Sequence, residues 1–161
     1  MGIEPAKSTA EAAEKLGIPV QHEFFGSKLV ANSKKADLII GNNVYAHVPD
    51  INDFTLGLKM LLKPNGTITL EFAYLLKLIQ ENQFDTIYHE HFSYLSLHAV
   101  DSIFKRAGLK IYDIDELATQ GGSLRVYGCH EETDFNTTGR VNKQLEKEEK
   151  AGLLGLETYM H

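Results

Sequence analysis

Apolar and polar positions along this chain follow two rhythms in turn, one with a period near two and one near 3.6. The stretch KSTAEAAEKLG offers Ser8 or Thr9 as an N-cap, good helix formers behind it and Gly17 as a stop, and so predicts a helix. IPVQHEFF reads as a short extended segment and SKLVANSKK as a short helix. ADLIIGNNV is an apolar run of strand length whose end turns polar at Asn42 and Asn43. Asp50 is placed to cap INDFTLGLKMLLK, where Phe54, Leu58, Leu61 and Leu62 share one helical face; PNG then predicts a turn into the strand TITLEF. YLLKLIQEN and SLHAVDSIFKRAG predict two further helices, the second ending at Gly108.

This alternation predicts an α/β fold with parallel strands joined by crossover helices. The rhythm then changes. LKIYDID and SLRVYGCH are alternating strands joined by ELATQGG, which leaves no room for a crossover helix, so an antiparallel hairpin is expected. From Glu131 the chain becomes polar loop and then the charged helix NKQLEKEEKAGLLGLETY, whose Leu153 and Leu154 want an apolar partner. The boundaries expected are a domain over 1–130 and a linker with its helix over 131–161.

Composition narrows the function. A chain of 161 residues, 43% hydrophobic, holds one ordinary core. The net charge of -6, with no cluster of Lys and Arg, argues against a phosphate backbone as partner. One cysteine, Cys129, makes neither an internal disulfide nor a multi-thiolate metal site, and no apolar run approaches a membrane span, so a cytoplasmic setting is expected. No GxGxxG-like turn occurs, yet Glu4 follows a short strand-like GI, where a carboxylate commonly accepts from both ribose hydroxyls. A capping glutamate is the competing reading.

The densest chemistry lies in FDTIYHEHFSYLS, residues 84–96, with Tyr88, His89, Glu90, His91 and Tyr94. An acid/base site, a metal site and a self-satisfied polar loop all fit such a run. If extended, His89 and His91 project to one side and with Glu90 offer ligands, but no further ligands stand at metal spacing, so no metal is expected. Histidine suits acid/base work because both protonation states are accessible near neutral pH. His47, just past Asn42 and Asn43, lies where open α/β sheets bind ligands, or else bonds a loop carbonyl. Phe24 and Phe25 fit a core as well as a stacking surface. Arg125 could hold a phosphate or pair with Asp113 or Asp115 across the hairpin. His22, His98 and His130 read as surface residues.

In order along the chain, GIEPAKSTAEAAEKLGIPVQHEFF, ADLIIGNNVYAHVPDINDF, LLKPNGTITLEF, FDTIYHEHFSYLS and GGSLRVYG resemble the C-methyltransferases of nucleotide-activated deoxysugars, over residues 2 to about 130. The resemblance implies a Rossmann-like class I methyltransferase sheet, mostly parallel with a C-terminal antiparallel hairpin and incomplete at its N-terminal side, since the first strand with its glycine-rich loop has no counterpart here. It implies S-adenosylmethionine as cofactor and a nucleotide-linked 4-keto sugar as substrate, methylated beside the ketone through an enolate. By the same resemblance His91 is the base, Tyr88 the companion acid, Glu90 an orienting group and His47 an assistant in proton transfer. Glu4, Phe25, Asn42 and Asn43 fall on the cofactor side, and Tyr74, Gln120 and Arg125 on the substrate side. Two positions depart from the family pattern, which has Pro-His after the strand and a histidine before the paired glycines; here these are Ala73-Tyr74 and Gln120. Lacking the first strand and its loop, this chain alone is expected to turn over weakly. The alternative is a non-catalytic nucleotide-sugar-binding remnant or partner subunit, with an exposed sheet edge and Leu153 and Leu154 favouring self-association or completion by the missing N-terminal half.

Overall fold

The computed structural model describes residues 1–160. Gly2–Ile3 forms strand β1 and Val20–Gln21 forms β2, a parallel pair, so the chain must cross over between them. Helix α1, Lys7–Lys15, makes that crossing. It starts earlier than Ser8 or Thr9 would set it: Ala6 is the N-cap, and its own N–H is held by Glu4 Oε1 at 2.8 Å. The helix stops at Gly17, whose φ of +80° a side chain would resist.

Helix α2, Ser27–Val30, is a single turn, and β3, Ala36–Asn42, is the predicted apolar strand. Helix α3, Ile51–Leu61, is capped as expected, Asp50 Oδ1 accepting from Asn52 N and Asp53 N at 3.1 and 2.9 Å. The next strand, β4, runs over Leu62–Ala73 and absorbs the PNG predicted as a turn. Lys63 pairs with Asp37 and Pro64 O accepts from Thr133, which hold this early part extended. Helix α4, Leu75–Gln80, precedes the histidine-rich segment. Helix α5, Leu97–Ala107, starts on the Ser96 hydroxyl and ends on Gly108 in the left-handed region. The hairpin strands are β5, Leu109–Leu117, and β6, Ser123–His130; α6, Gly139–Lys150, completes the chain's regular elements.

β3 and β4 pair in parallel, β6 inserts beside β4, and β5 forms the far edge, with both hairpin contacts antiparallel. The order β3-β4-β6-β5 is separate from the β1-β2 pair. Register decides the faces: Ile39 opposes Ile68 and Gly41 opposes Leu70, and this side packs with Phe54, Leu58, Val100 and Phe104 of α3 and α5 into the core. The other side carries Leu38, Ile40 and Asn42 opposite Thr67, Thr69 and Glu71. Leu38 and Ile40 are 53% and 63% exposed, so this apolar run, which reads as a buried strand, is covered on one face only.

Two sequence expectations change. Leu153 finds its partner inside the chain, buried in the core, while Leu154 stays exposed. His130 is buried with Nε2–H donating to Leu62 O, and His98 is tied to Glu148, so neither is a plain surface residue. No helix among the described residues is long and apolar enough to cross a membrane.

Candidate active site

Past β3 the backbone makes a short turn over Tyr45–His47. Tyr45 is wholly buried against Phe54, Phe72 and Phe104, and its hydroxyl donates to Thr55 Oγ1 at 2.6 Å, Thr55 being committed to Ile51 O. Burial pushes that phenol well above its ordinary range, so it remains a donor. With Tyr45 anchored, His47 is fixed at the rim. Its Nδ1 lies 2.9 Å from Glu90 O, and because a carbonyl only accepts, Nδ1 carries the hydrogen and Nε2 keeps its lone pair. The carbonyl-bonding alternative for His47 therefore holds, and it leaves the second nitrogen open.

The segment 84–96 is not extended. Phe92 N and Ser93 N both donate to Ala46 O, at 2.9 and 3.2 Å, and His91 N closes a turn on Tyr88 O at 3.1 Å. His89 and Glu90 form the exposed corner of that turn, which separates His89 from His91 and brings Tyr88 back beside His91. His91 Nδ1 lies 2.9 Å from Thr86 O and must donate to it. In the neutral ring Nε2 is then the acceptor, and Tyr88 Oη, 3.1 Å away, is placed to give it a hydrogen. The His47 ring lies 4.7 Å from that of His91, and Tyr94 meets His91 edge-on at 5.8 Å. Three of the four expected acid/base residues thus converge: Tyr88, His91 and His47. Glu90 contributes its carbonyl to this cluster. Among the described residues no group of three or more His, Cys, Asp and Glu could hold a metal ion.

A cleft of about 560 Å³ runs along β3 beside β1, lined in part by Ile3, Phe25, Ile40, Gly41 and Val44. Of the residues expected on the cofactor side, Phe25 lines it, and Glu4, Asn42 and Asn43 follow its lining residues in the chain. Glu4 follows Ile3 at the end of β1, with Oε1 committed to Ala6 N, so the capping alternative is realised for one of its two oxygens. Phe25 is half-buried with its ring 4.7 Å from Phe54. Asn42 and Asn43 follow Gly41 at the carboxyl end of β3, both exposed; Asn43 takes a φ of +53°, which asparagine tolerates, and donates its N–H to Glu71 O at 2.8 Å. A carboxylate oxygen, an aromatic ring and amides are the group types that pair with ribose hydroxyls and an adenine ring, as in the adenosine half of S-adenosylmethionine. For its methionine half the chain has no glycine-rich turn.

On the substrate side the structure corrects two expectations. Tyr74 is wholly buried, its hydroxyl donating to Glu148 Oε1 at 2.7 Å and accepting from Gln144 at 2.9 Å, so it presents nothing to a ligand. Burial, reinforced by the Glu148 charge, pushes its phenol far up. Arg125 makes no ion pair with Asp113 or Asp115: the register sets it opposite Asp115 on one side and Glu71 on the other, and Nη2 donates to Glu71 Oε2 at 2.7 Å. Arg140 takes the two aspartates instead. Gln120 stays exposed at the hairpin tip, held at a φ of +52° that costs backbone energy. Sequence reasoning missed Glu71 and Glu148, both buried; a carboxylate inside an apolar strand (TLEFA) was the available signal for Glu71, whereas Glu148 is hidden in a charge-rich helix.

An α/β frame whose parallel strands are joined by crossover helices and closed by an antiparallel hairpin is the frame of the S-adenosylmethionine-dependent methyltransferases. The family described as "Methyltransferase domain" matches residues 2–114, and the chain belongs to it; "C-methyltransferase C-terminal domain" matches residues 118–161. The chain is 33% identical to the C-methyltransferase NovU of Streptomyces niveus over 99% of its own length, and spans 39% of that relative. Among solved structures, the Thermotoga maritima methyltransferase described as a possible histamine N-methyltransferase superposes with a TM-score of 0.65 at 14% identity, covering 81% of this chain and 72% of that one. PKMT2 from Rickettsia typhi, solved with AdoHcy, gives 0.60 at 13% identity over 85% and 45%. These likenesses establish the Rossmann-like methyltransferase fold.

Proposed function

We propose that this chain carries the acid/base half of a C-methyltransferase acting on a keto sugar linked to a nucleoside diphosphate. The observation that carries the reading is the Tyr88–His91 pair, with His91 Nδ1 held by Thr86 O and Nε2 facing the Tyr88 hydroxyl. Forming a carbon–carbon bond beside a ketone needs removal of an α-proton and a donor for the enolate oxygen. Rotation of the Tyr88 hydroxyl meets both needs at once: it uncovers His91 Nε2 to take the proton and offers its hydrogen to the developing oxyanion. His47 Nε2, on the adjacent ring, is the second acceptor that can pass a proton to solvent. S-Adenosylmethionine, when bound, supplies an electrophilic methyl group; Glu4, Phe25, Asn42 and Asn43 are the residues that would hold its adenosine end. Gln120, exposed and strained at the hairpin tip, is the substrate contact, and the NovU name is the support for a carbon acceptor.

The test is proton exchange in D2O, followed by NMR, on a nucleoside diphosphate 4-keto-deoxysugar mixed with the chain. Wild-type protein should speed loss of the α-proton signal, and His91→Asn should slow it by roughly 10²-fold or more, the usual contribution of a general base, with circular dichroism unchanged. Equal rates for the two proteins would remove His91 from the chemistry.

A further inference from the structure

We infer that Glu148, on α6, is the positioning residue for the segment that carries Tyr88 and His91; the inference rests on the acid/base reading of that segment. Glu148 is fully buried, and a carboxylate is tolerated there only when donors surround it. Four are present: Leu97 N at 2.5 Å, His98 N at 2.9 Å, His98 Nδ1 at 2.8 Å and the Tyr74 hydroxyl at 2.7 Å. Gln144, one turn earlier on α6, steadies the same hydroxyl.

The positions of these donors along the chain give the arrangement its meaning. Tyr74 is the residue at which the chain leaves β4, and Leu97 is where it enters α5; the excursion between them holds α4, Tyr88 and His91. A bridge between Tyr74 and Leu95, with Leu75 N donating to Leu95 O at 3.0 Å, already draws the two ends together. Glu148 fastens both to one carboxylate, whose negative charge also suits the N-terminus of α5. Thus α6 closes the base of the catalytic excursion, while Ala46 O holds its middle. A change in how α6 seats on α5 is thereby transmitted to the His91 tautomer and its distance from Tyr88.

The experiment uses the whole chain, 15N-labelled at histidine, without substrate. Hydrogen exchange and long-range imidazole NMR are recorded for wild type, Glu148→Gln and Glu148→Asp. In Glu148→Gln, residues 86–94 and the amides of Leu97 and His98 should exchange roughly tenfold to a hundredfold faster, the range set by loss of hydrogen bonds to a charged group. His91 should shift from the single Nδ1–H tautomer to a mixture, with α1 unaffected, and Glu148→Asp should recover part of both changes. Unchanged exchange over 86–94 together with an unchanged His91 spectrum overturns the inference. Should Glu148→Gln fail to fold, His98→Phe removes one donor and leaves the carboxylate; the same His91 shift supports the inference, and its absence overturns it. Neither readout requires turnover, so the α-proton exchange test stands or falls separately.

Discussion

Replacing Arg125 with methionine separates a ligand-binding guanidinium from one that balances a buried charge. The side chain of Glu71 is 6% exposed, with Oε1 accepting from Thr119 Oγ1 at 2.9 Å and Oε2 from Arg125 Nη2 at 2.7 Å. In Arg125→Met the second oxygen loses its donor. A hydrogen bond to a charged group is worth about 1.5–3 kcal/mol, and the guanidinium is about one-third exposed, so water screens part of it; a loss of about 2 kcal/mol is expected. Glu71→Gln removes the uncompensated charge while keeping an acceptor for Thr119, so the double variant should recover half or more of that loss. Urea unfolding followed by circular dichroism measures this: with a typical slope of about 2 kcal/mol per molar, the midpoint should fall by about 1 M. Arg125→Met within about 0.5 kcal/mol of wild type, or a double variant equal to the sum of the singles, would refute the reasoning and return Arg125 to the list of phosphate contacts.

Two further outcomes are expected. Burial pushes the Asp113 carboxyl up, but hydrogen bonds from Thr138 and Arg140 outweigh it and hold the group below its ordinary range. A depressed carboxylate stabilises the folded state above its unfolded pKa, about 3.9, and that contribution disappears as pH falls through the folded value, so α6 amides should lose protection below about pH 4 and not at neutral pH. Hydrogen exchange at pH 3 and pH 6 checks this, and equal protection of α6 at both would contradict it. Gly128 lies against the Phe104 ring in the core, where a methyl group has no space. Gly128→Ala should cost about 1–3 kcal/mol by overpacking, seen as a lower melting temperature; an unchanged melt would mean that α5 does not pack on β6 as described.

What the sequence disclosed depended on whether the cause was local. Asp50 and Gly108 act on their own helix ends, so the start of α3 and the end of α5 were readable, whereas Leu62 and Lys63, read as the end of α3, belong to β4. The hairpin followed from a connection too short for a crossover, and β5–β6 is antiparallel. Cap choice at α1 was misread because the helix already begins at Lys7, with Glu4, outside it, accepting from the N–H of the N-cap residue Ala6. The cluster of Tyr88, His91 and His47 was legible as composition but not as shape: the turn at His89 and Glu90 is set by Ala46 O, about forty residues earlier in the chain, which no local pattern announces. Tyr74 was misassigned for the same reason, since its partner Glu148 lies on α6 and reads in sequence as one more solvated charge.

The bare rim of β3 governs how the molecule behaves in a test tube. Among the described residues no strand pairs with its outer edge, and Leu38 and Ile40 present aliphatic carbon on the uncovered side. Such a rim is a template for cross-β stacking, so yield on refolding should fall with protein concentration, and Ile40→Lys should act as a gatekeeper against clumping.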